Sequence, residues 1–264
     1  MSTQTKSEIH PQAVVSASVR LGARITIGAY AIVGEHVTLG EGCSVSGHAV
    51  IQGPSKIGRN NVFHPFCSIG GDPQDLKFNG EQTELAIADG NTFREYVTVS
   101  RGTVGGGGKT TIGNGNLFMA YAHIAHDCHV GDETIFANGA TLAGHVEVED
   151  FATIGAFSPV HQFCRIGRYA YVGASTVITQ DVPPFSRVVT ERSTKSYGVN
   201  SIGLERKGFS KERLQALGRA YRLLLQSKMN TSQAVAEMRA TLGEFEDVRE
   251  LVSFIEAAER GIVK

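Results

Sequence analysis

The segment ITIGAYAIVGEHVTLGEGCSVSGHAVIQG, residues 25–53, carries an apolar residue at every sixth position: Ile27, Val33, Leu39, Val45 and Ile51. The series reaches back through Leu21, Val15 and Ile9 and forward through Ile57, Phe63 and Ile69, then resumes in phase at Ile87, Phe93 and Val99. After a shift of one residue it runs in sixes from Ile112 to Ile178. A fixed six-residue period predicts a parallel β-helix. The periodic residues point inward, and the small residue that often follows, as in Ile27-Gly28 and Val172-Gly173, is expected to permit tight corners. Three hexapeptides close one triangular coil, so residue i lies beneath residue i+18, with coils about 4.8 Å apart. Roughly nine or ten such coils are expected over about residues 9 to 182.

Composition is compatible with one large folded chain. The 264 residues are 41% hydrophobic with a formal net charge of -1, enough apolar material for a core and too little charge for bulk binding to nucleic acid or an anionic membrane. Met1 to Pro11 is polar without an apolar h-region, and no apolar run approaches the ~20 residues of a membrane span. A cytoplasmic protein is expected. Cys43, Cys67, Cys128 and Cys164 each follow a periodic apolar residue by four positions. They read as small buried residues in a reducing compartment, without disulfides between adjacent coils.

Two stretches interrupt the period. Residues 71–86 keep its length but lose its apolar residues, and residues 100–110 (SRGTVGGGGKT) carry four consecutive glycines and cause the shift. Both read as protrusions from a rigid scaffold, where function often sits, although a tolerated surface insertion has the same pattern. Pro183-Pro184 is expected to end the β-helix, giving a domain over 1–184 and a linker with a helical domain over 185–264. The tail shows helical apolar faces at Leu214, Leu217, Tyr221, Leu224 and Leu225, then at Met238 and Leu242, then at Val248, Leu251, Val252 and Ile255. Asn230 and Gln233 read as an N-cap and its N3 partner.

The 18-residue rule gathers polar residues from three segments, AHIAHDCHVGD (122–132), NGATLAGHVEVED (138–150) and SPVHQFCRIG (158–167). It stacks His126 under Gly144 and then Gln162, and Asp127 under His145 and then Phe163, while His161 lies over Ala143 one column away. His123 lies farther along the coil of His126. Three readings fit this strip: an ordinary polar surface ladder, a zinc site spread over adjacent coils, or general-base catalysis by His126 with a neighbouring Asp or His orienting it.

Beyond the hexapeptides, the segments QDLKFNGE (74–81), AHIAHDC (122–128), NGATLAGHV (138–146), VHQFCRIG (160–167), QDVPP (180–184) and GVNSIGLERKGFS (198–210) resemble the UDP-N-acetylglucosamine acyltransferases that begin lipid A synthesis in Gram-negative bacteria. The resemblance covers nearly the whole chain. It implies a left-handed parallel β-helix with a C-terminal α-helical domain, assembled as a homotrimer with clefts between subunits. It implies transfer of an (R)-3-hydroxyacyl group from acyl carrier protein to the glucosamine 3-hydroxyl of UDP-N-acetylglucosamine. No metal or resident cofactor is implied, because the donor carries its own phosphopantetheine.

By the same resemblance His126 is the general base, Asp127 orients and polarises it, and the backbone N–H of Gly144 stabilises the oxyanion, its missing side chain leaving room for the acyl group. His145, His161 and Gln162 match sugar-nucleotide or acyl contacts, and His123 matches a site position near the reacting groups or the pantetheine. Asp75 would accept from a sugar hydroxyl and Lys77 would meet polar groups of the donor. Asn200, Arg206 and Lys207 match the uridine and phosphate end. The family typically has two arginines where this chain has Arg206-Lys207, and some members have Glu at Ile202. Ala174 matches the position whose bulk limits acyl-chain length, and its small size predicts a medium-to-long chain. The basic residues Arg206, Lys207, Lys211, Arg213, Arg219 and Arg222 read either as a solvated helix face or as a dock for the acidic carrier protein. N-acylation of a 3-amino UDP-sugar is the alternative within the class. A β-helical zinc enzyme and a non-catalytic scaffold are the alternatives outside it.

Overall fold

The computed structural model describes residues 7–190, 196, 198–258 and 261–262. The chain divides into two compact units, Met1–Thr190 and Glu191–Lys264.

The first unit is a parallel β-helix with three faces. The first face has ten strands, from Glu8–Ile9 to Arg187–Val188. The second has eight, from Val14–Val15 to Pro159–Val160, and the third has eight, from Arg20–Leu21 to Arg165–Ile166. Most strands are two residues long, because a hexapeptide must also turn a corner. The periodic residues stack inward as expected. Ile27, Val45, Phe63, Phe93, Phe118, Phe136 and Ile154 form one buried column, and its Phe rings lie 4.8 to 5.1 Å apart.

The small residue after each periodic position acts differently from expectation. Apart from Gly70 (φ 77°), it is not the corner residue with positive φ. A Cβ on Gly28 would come within 2.6 Å of the Gly47 nitrogen on the next coil, so smallness there serves close coil-to-coil approach. Positive φ falls instead on mostly non-glycine residues, such as Tyr30 (60°), His48 (61°), Phe66 (64°), Tyr96 (61°) and Tyr121 (65°). Such values are sterically unfavourable for bulky side chains. Here these side chains stack on one another up the edge between the first and second faces.

The 18-residue step holds over most of the helix, as in Phe118↔Phe136, but not across the two interruptions. Phe63 pairs with Phe93, a step of 30, and Phe93 pairs with Phe118, a step of 25. The first interruption therefore adds 30 − 18 = 12 residues and the second 25 − 18 = 7. Both are inserted at the same edge, between the second and third faces: one between Ser68–Gly71 and Glu84–Ile87, the other between Thr98–Ser100 and Lys109–Ile112.

The expected end at Pro183-Pro184 is corrected. Arg187–Val188 continues the first face by pairing in parallel with Tyr171–Val172. The prolines lack an N–H only where the chain turns. Val182 still accepts from Gly167 N–H, and Phe185 N–H donates to Arg168 O at 2.8 Å while its ring stacks on Tyr169.

The second unit has four helices: α1 (Ser201–Glu205), α2 (Lys211–Leu225), α3 (Thr231–Leu242) and α4 (Glu246–Ala257). Leu217, Leu224, Val235, Met238, Leu242, Val248, Val252 and Ile255 form its core. The capping box is present: Asn230 Oδ1 accepts from Gln233 N–H at 2.9 Å, and Gln233 Oε1 accepts from Asn230 N–H at 3.0 Å. The short α1 was not anticipated.

Candidate active site

The edge that carries both insertions also carries the histidine strip. Above the two loops, successive corners on this edge hold His126 and Asp127, then Gly144 and His145, then Gln162 and Phe163. The stacked corners found by counting are joined by hydrogen bonds between residues 19 apart, from His145 N–H to His126 O at 3.0 Å and from Phe163 N–H to Gly144 O at 3.3 Å.

Asp127 is the centre of the arrangement. Its carboxylate is only 2% exposed, and a buried carboxylate must be met by donors. One oxygen accepts the Thr103 backbone N–H at 2.7 Å. The other accepts the Thr103 hydroxyl at 2.6 Å and lies 2.8 Å from His126 Nδ1. An ionised carboxylate only accepts, so Nδ1 carries the proton and Nε2 keeps a free lone pair. Thr103 belongs to the glycine-rich insertion, whose single 3-10 turn, Val104–Gly106, folds over the carboxylate. A Cβ on Gly106 would overlap that carboxylate, which accounts for glycine there.

The imidazole of His126 packs against Gly144. A Cβ at 144 would lie 2.6 Å from Cε1 and 2.9 Å from Nε2, so the missing side chain makes room for the histidine itself. Among the described residues the Gly144 N–H has no hydrogen-bond acceptor, unlike its neighbours Ala143 and His145. His145 meets His126 edge-on at 88° and stacks face to face on Phe163 at 4.5 Å. His145, Phe163, Thr103, Val104 and Gly105 line one side of a cavity of about 300 Å³, and Asp75, Lys77, Phe78 and Glu81 of the first insertion line the rest. Asp75 is fixed locally, its side chain accepting from Lys77 N–H at 3.0 Å.

The two insertions are tied at their roots. Arg101, 8% exposed, donates to Gly53 O at 2.9 Å and Gly70 O at 2.8 Å and pairs with Asp72, while its own N–H donates to Gly71 O at 2.9 Å. The segment that grips Asp127 through Thr103 thus also grips the base of the loop carrying Asp75 and Lys77.

Other expected residues are placed less centrally. His123 is half-buried, with Nδ1 2.7 Å from the Thr98 hydroxyl. Burial, and then repulsion from His126, lowers its pKa. His161 and Gln162 lie exposed two coils above His126, the imidazole turned toward Gln162 O at 3.2 Å. Ala174 is exposed at a different edge, between the first and second faces, so a single chain does not bring it to His126. Asn200, Arg206 and Lys207 are exposed in the second unit, where Asn200 Oδ1 caps α1 by accepting from Gly203 N–H at 3.2 Å.

His126, Asp127 and His145 bring potential metal ligands within 4.8 Å of one another. Three donors already meet the carboxylate, two of them on one oxygen. The residues that counting missed are Thr103, Gly106, Arg101 and Thr98, together with Phe78 and Glu81 of the cavity wall. Phe163 appeared in the column of Asp127 and His145 without being recognised as part of the site.

A β-helix of hexapeptide coils with a histidine–aspartate pair at one edge defines a transferase of the hexapeptide class. The model for bacterial transferase hexapeptide repeats matches residues 109–144, and that for domain 2 of UDP-N-acetylglucosamine O-acyltransferase matches residues 181–263. The chain is 47% identical over 258 residues to the acyl-[acyl-carrier-protein]--UDP-N-acetylglucosamine O-acyltransferase of Xylella fastidiosa, covering 98% of each protein. It is 46% identical to the enzyme of the same name from Stenotrophomonas maltophilia, over 99% of this chain and 100% of that one. Among solved structures, the UDP-N-acetylglucosamine O-acyltransferase of Moraxella catarrhalis is 40% identical with a TM-score of 0.69, covering 97% of this chain and 99% of that one. The chain belongs to the UDP-N-acetylglucosamine O-acyltransferase family.

Proposed function

We propose that this protein transfers an (R)-3-hydroxyacyl group from the thioester of acyl carrier protein to the glucosamine 3-hydroxyl of UDP-N-acetylglucosamine, the first step of lipid A synthesis, with His126 as general base. The observation that carries this reading is the 2.8 Å contact of His126 Nδ1 with the buried Asp127 carboxylate. It leaves Nε2 free to take the proton of the 3-hydroxyl as its oxygen attacks the thioester carbonyl carbon. The unpaired N–H of Gly144 is the donor for the oxyanion that forms. When the tetrahedral intermediate collapses, the C–S bond breaks, and the imidazolium returns its proton to the departing pantetheine sulfur.

Asp75 and Lys77 across the cavity are assigned to sugar and donor polar groups, with His145, His161, Gln162 and His123 as further contacts. The exposed Asn200, Arg206 and Lys207 are assigned to the uridine and diphosphate, and Lys207 gives a less directional grip than arginine would. Because Ala174 lies on a different edge of the β-helix from His126, the reading includes a homotrimer in which neighbouring copies complete each cleft. Ala174 predicts a medium-to-long acyl chain. Arg219 and Arg222, exposed beside a cavity of about 460 Å³, suit the acidic carrier protein. Among the described residues no helix is long and apolar enough to cross a membrane, in keeping with a cytoplasmic enzyme.

The assignment is a metal-free one, in which Asp127 serves as acceptor for Thr103 and His126. A 3-amino sugar would need less help from a base, so the ordered His126–Asp127 pair favours the hydroxyl acceptor. The test is mass spectrometry of the product formed from UDP-N-acetylglucosamine, its 3-amino analogue and a mixed pool of acyl carrier proteins, after treatment with a chelator. Acylation of the amino sugar alone would reject the O-acyltransferase reading, and loss of turnover restored by zinc would reject the metal-free one.

A further inference from the structure

We infer that Thr103 is a positioning residue for the Asp127–His126 pair and tunes the basicity of His126 through the carboxylate; this rests on the general-base reading above. The geometry is specific. The Thr103 hydroxyl and His126 Nδ1 meet the same carboxylate oxygen, at 2.6 and 2.8 Å, while the Thr103 N–H holds the other oxygen at 2.7 Å. The hydroxyl also accepts the Gly106 N–H at 3.2 Å, which leaves its own proton directed at Asp127. Two donors from one residue fix the rotation of the carboxylate and so the direction in which it receives the imidazole.

The shared oxygen has a chemical consequence. A hydroxyl donating to it withdraws negative charge from the side that faces His126. Imidazolium is then stabilised less than it would be by a carboxylate oxygen that received no hydroxyl. Other titratable groups lie nearby: His145 Nε2 lies 3.8 Å from the same oxygen, His123 lies on the same coil, and Asp75, Lys77 and Glu81 line the cavity that Thr103 and His145 also line. Their contributions are common to the wild type and to a Thr103 variant, so the difference between the two isolates the hydroxyl. The competing role for Thr103 is only to cap the turn Val104–Gly106. Loss of a cap alters stability or kcat but does not move a titration.

The experiment measures kcat/KM against pH for the wild type, Thr103→Ser and Thr103→Val, with Thr103→Ala as the replacement should the valine variant not fold. Removing the hydroxyl is expected to move the acidic limb upward by about half a pH unit or more, with kcat reduced roughly tenfold, and serine is expected to restore both. An acidic limb that stays in place or moves down in the hydroxyl-free variant overturns the inference. His126→Asn, run in parallel, separates the two levels. If it retains turnover, the general-base reading fails and this inference with it. If it is inactive while the limb is unmoved, only the role of Thr103 fails.

Discussion

Gly144 and His126 occupy one shared volume on successive coils: a Cβ on Gly144 would lie 2.6 Å from the imidazole Cε1. Gly144→Ala must therefore push the ring off its line with Asp127 or shift the backbone whose N–H faces the reaction. Displacements of this size cost on the order of 100-fold in rate. The expected result is that loss in kcat with KM for the sugar nucleotide changed by less than about threefold, as befits an interaction made in the transition state. Steady-state kinetics check it. Near-normal kcat in a folded alanine variant would show that the ring can move at no cost.

Asp127→Asn tests what the carboxylate does for its neighbour. The amide oxygen can still accept on one side, but its NH2 must face a group that now donates to the carboxylate: the Thr103 N–H on one oxygen, or the Thr103 hydroxyl and His126 Nδ1 on the other. A buried mispaired donor costs about 1–3 kcal/mol, and the imidazole loses the acceptor that selects its tautomer. The variant is expected to melt several degrees lower and to lose about 100- to 10,000-fold in kcat. Calorimetry and single-turnover assays measure the two effects separately. A variant with full activity would remove Asp127 from the mechanism.

The upper half of this edge could be read by counting because the coil there repeats every 18 residues, as in Phe118↔Phe136. That step alone put Asp127 under His145 and Phe163. Lower down the step becomes 30 and then 25, and the partner of Asp127, Thr103, lies 24 residues away on an inserted segment. No period relates them, because the bond depends on how seven extra residues fold back over the corner. Arg101 and Asp72 escaped for the same reason. The helices were readable where a cap or a long apolar stripe marked them, as at Asn230, but the five residues of α1 are too few to show a stripe. The aromatic corners were hidden because residue preference argues against positive φ at Tyr30 or Phe66, and only stacking between coils reveals what occupies those positions.

Gly106 and Gly105 should respond differently to the same substitution. A Cβ on Gly106 overlaps the Asp127 carboxylate, whereas one on Gly105 has nothing within 4 Å. Gly106→Ala must lift the turn from Asp127 and break both Thr103 bonds. The expected outcome is a loss of kcat at least tenfold larger than for Gly105→Ala. Faster proteolysis within the loop of the Gly106 variant would accompany it. Equal effects of the two alanines would mean that the glycine run acts only through flexibility.

The four thiols should be inert in the folded protein. Burial pushes Cys67 and Cys128 up to about 12 and raises Cys43 and Cys164, and all four are free and buried. Since the thiolate is the reactive form, a thiol reagent at pH 8 is expected to find no fast-reacting group until denaturant is added, and then all four. Rapid modification of one thiol in the native protein would contradict its placement inside the coil.

His123 links acidity to stability. Its pKa is lowered by burial and then by the charge of His126, so the folded protein binds a proton there less readily than the unfolded chain, whose histidine titrates near ~6.5. The stabilisation from keeping His123 neutral is therefore fully present above ~6.5 and is lost as the pH falls through that value toward the lower folded one. His123→Gln removes the titration while keeping a polar partner for the Thr98 hydroxyl, which now sits 2.7 Å from Nδ1. Urea unfolding midpoints measured from pH 7.5 to pH 5 should fall more steeply for the wild type than for the glutamine variant. The difference should open below about pH 6.5, where the unfolded chain begins to take up the proton that the fold excludes. Parallel curves for the two proteins would show that His123 is as free to protonate when folded as when unfolded.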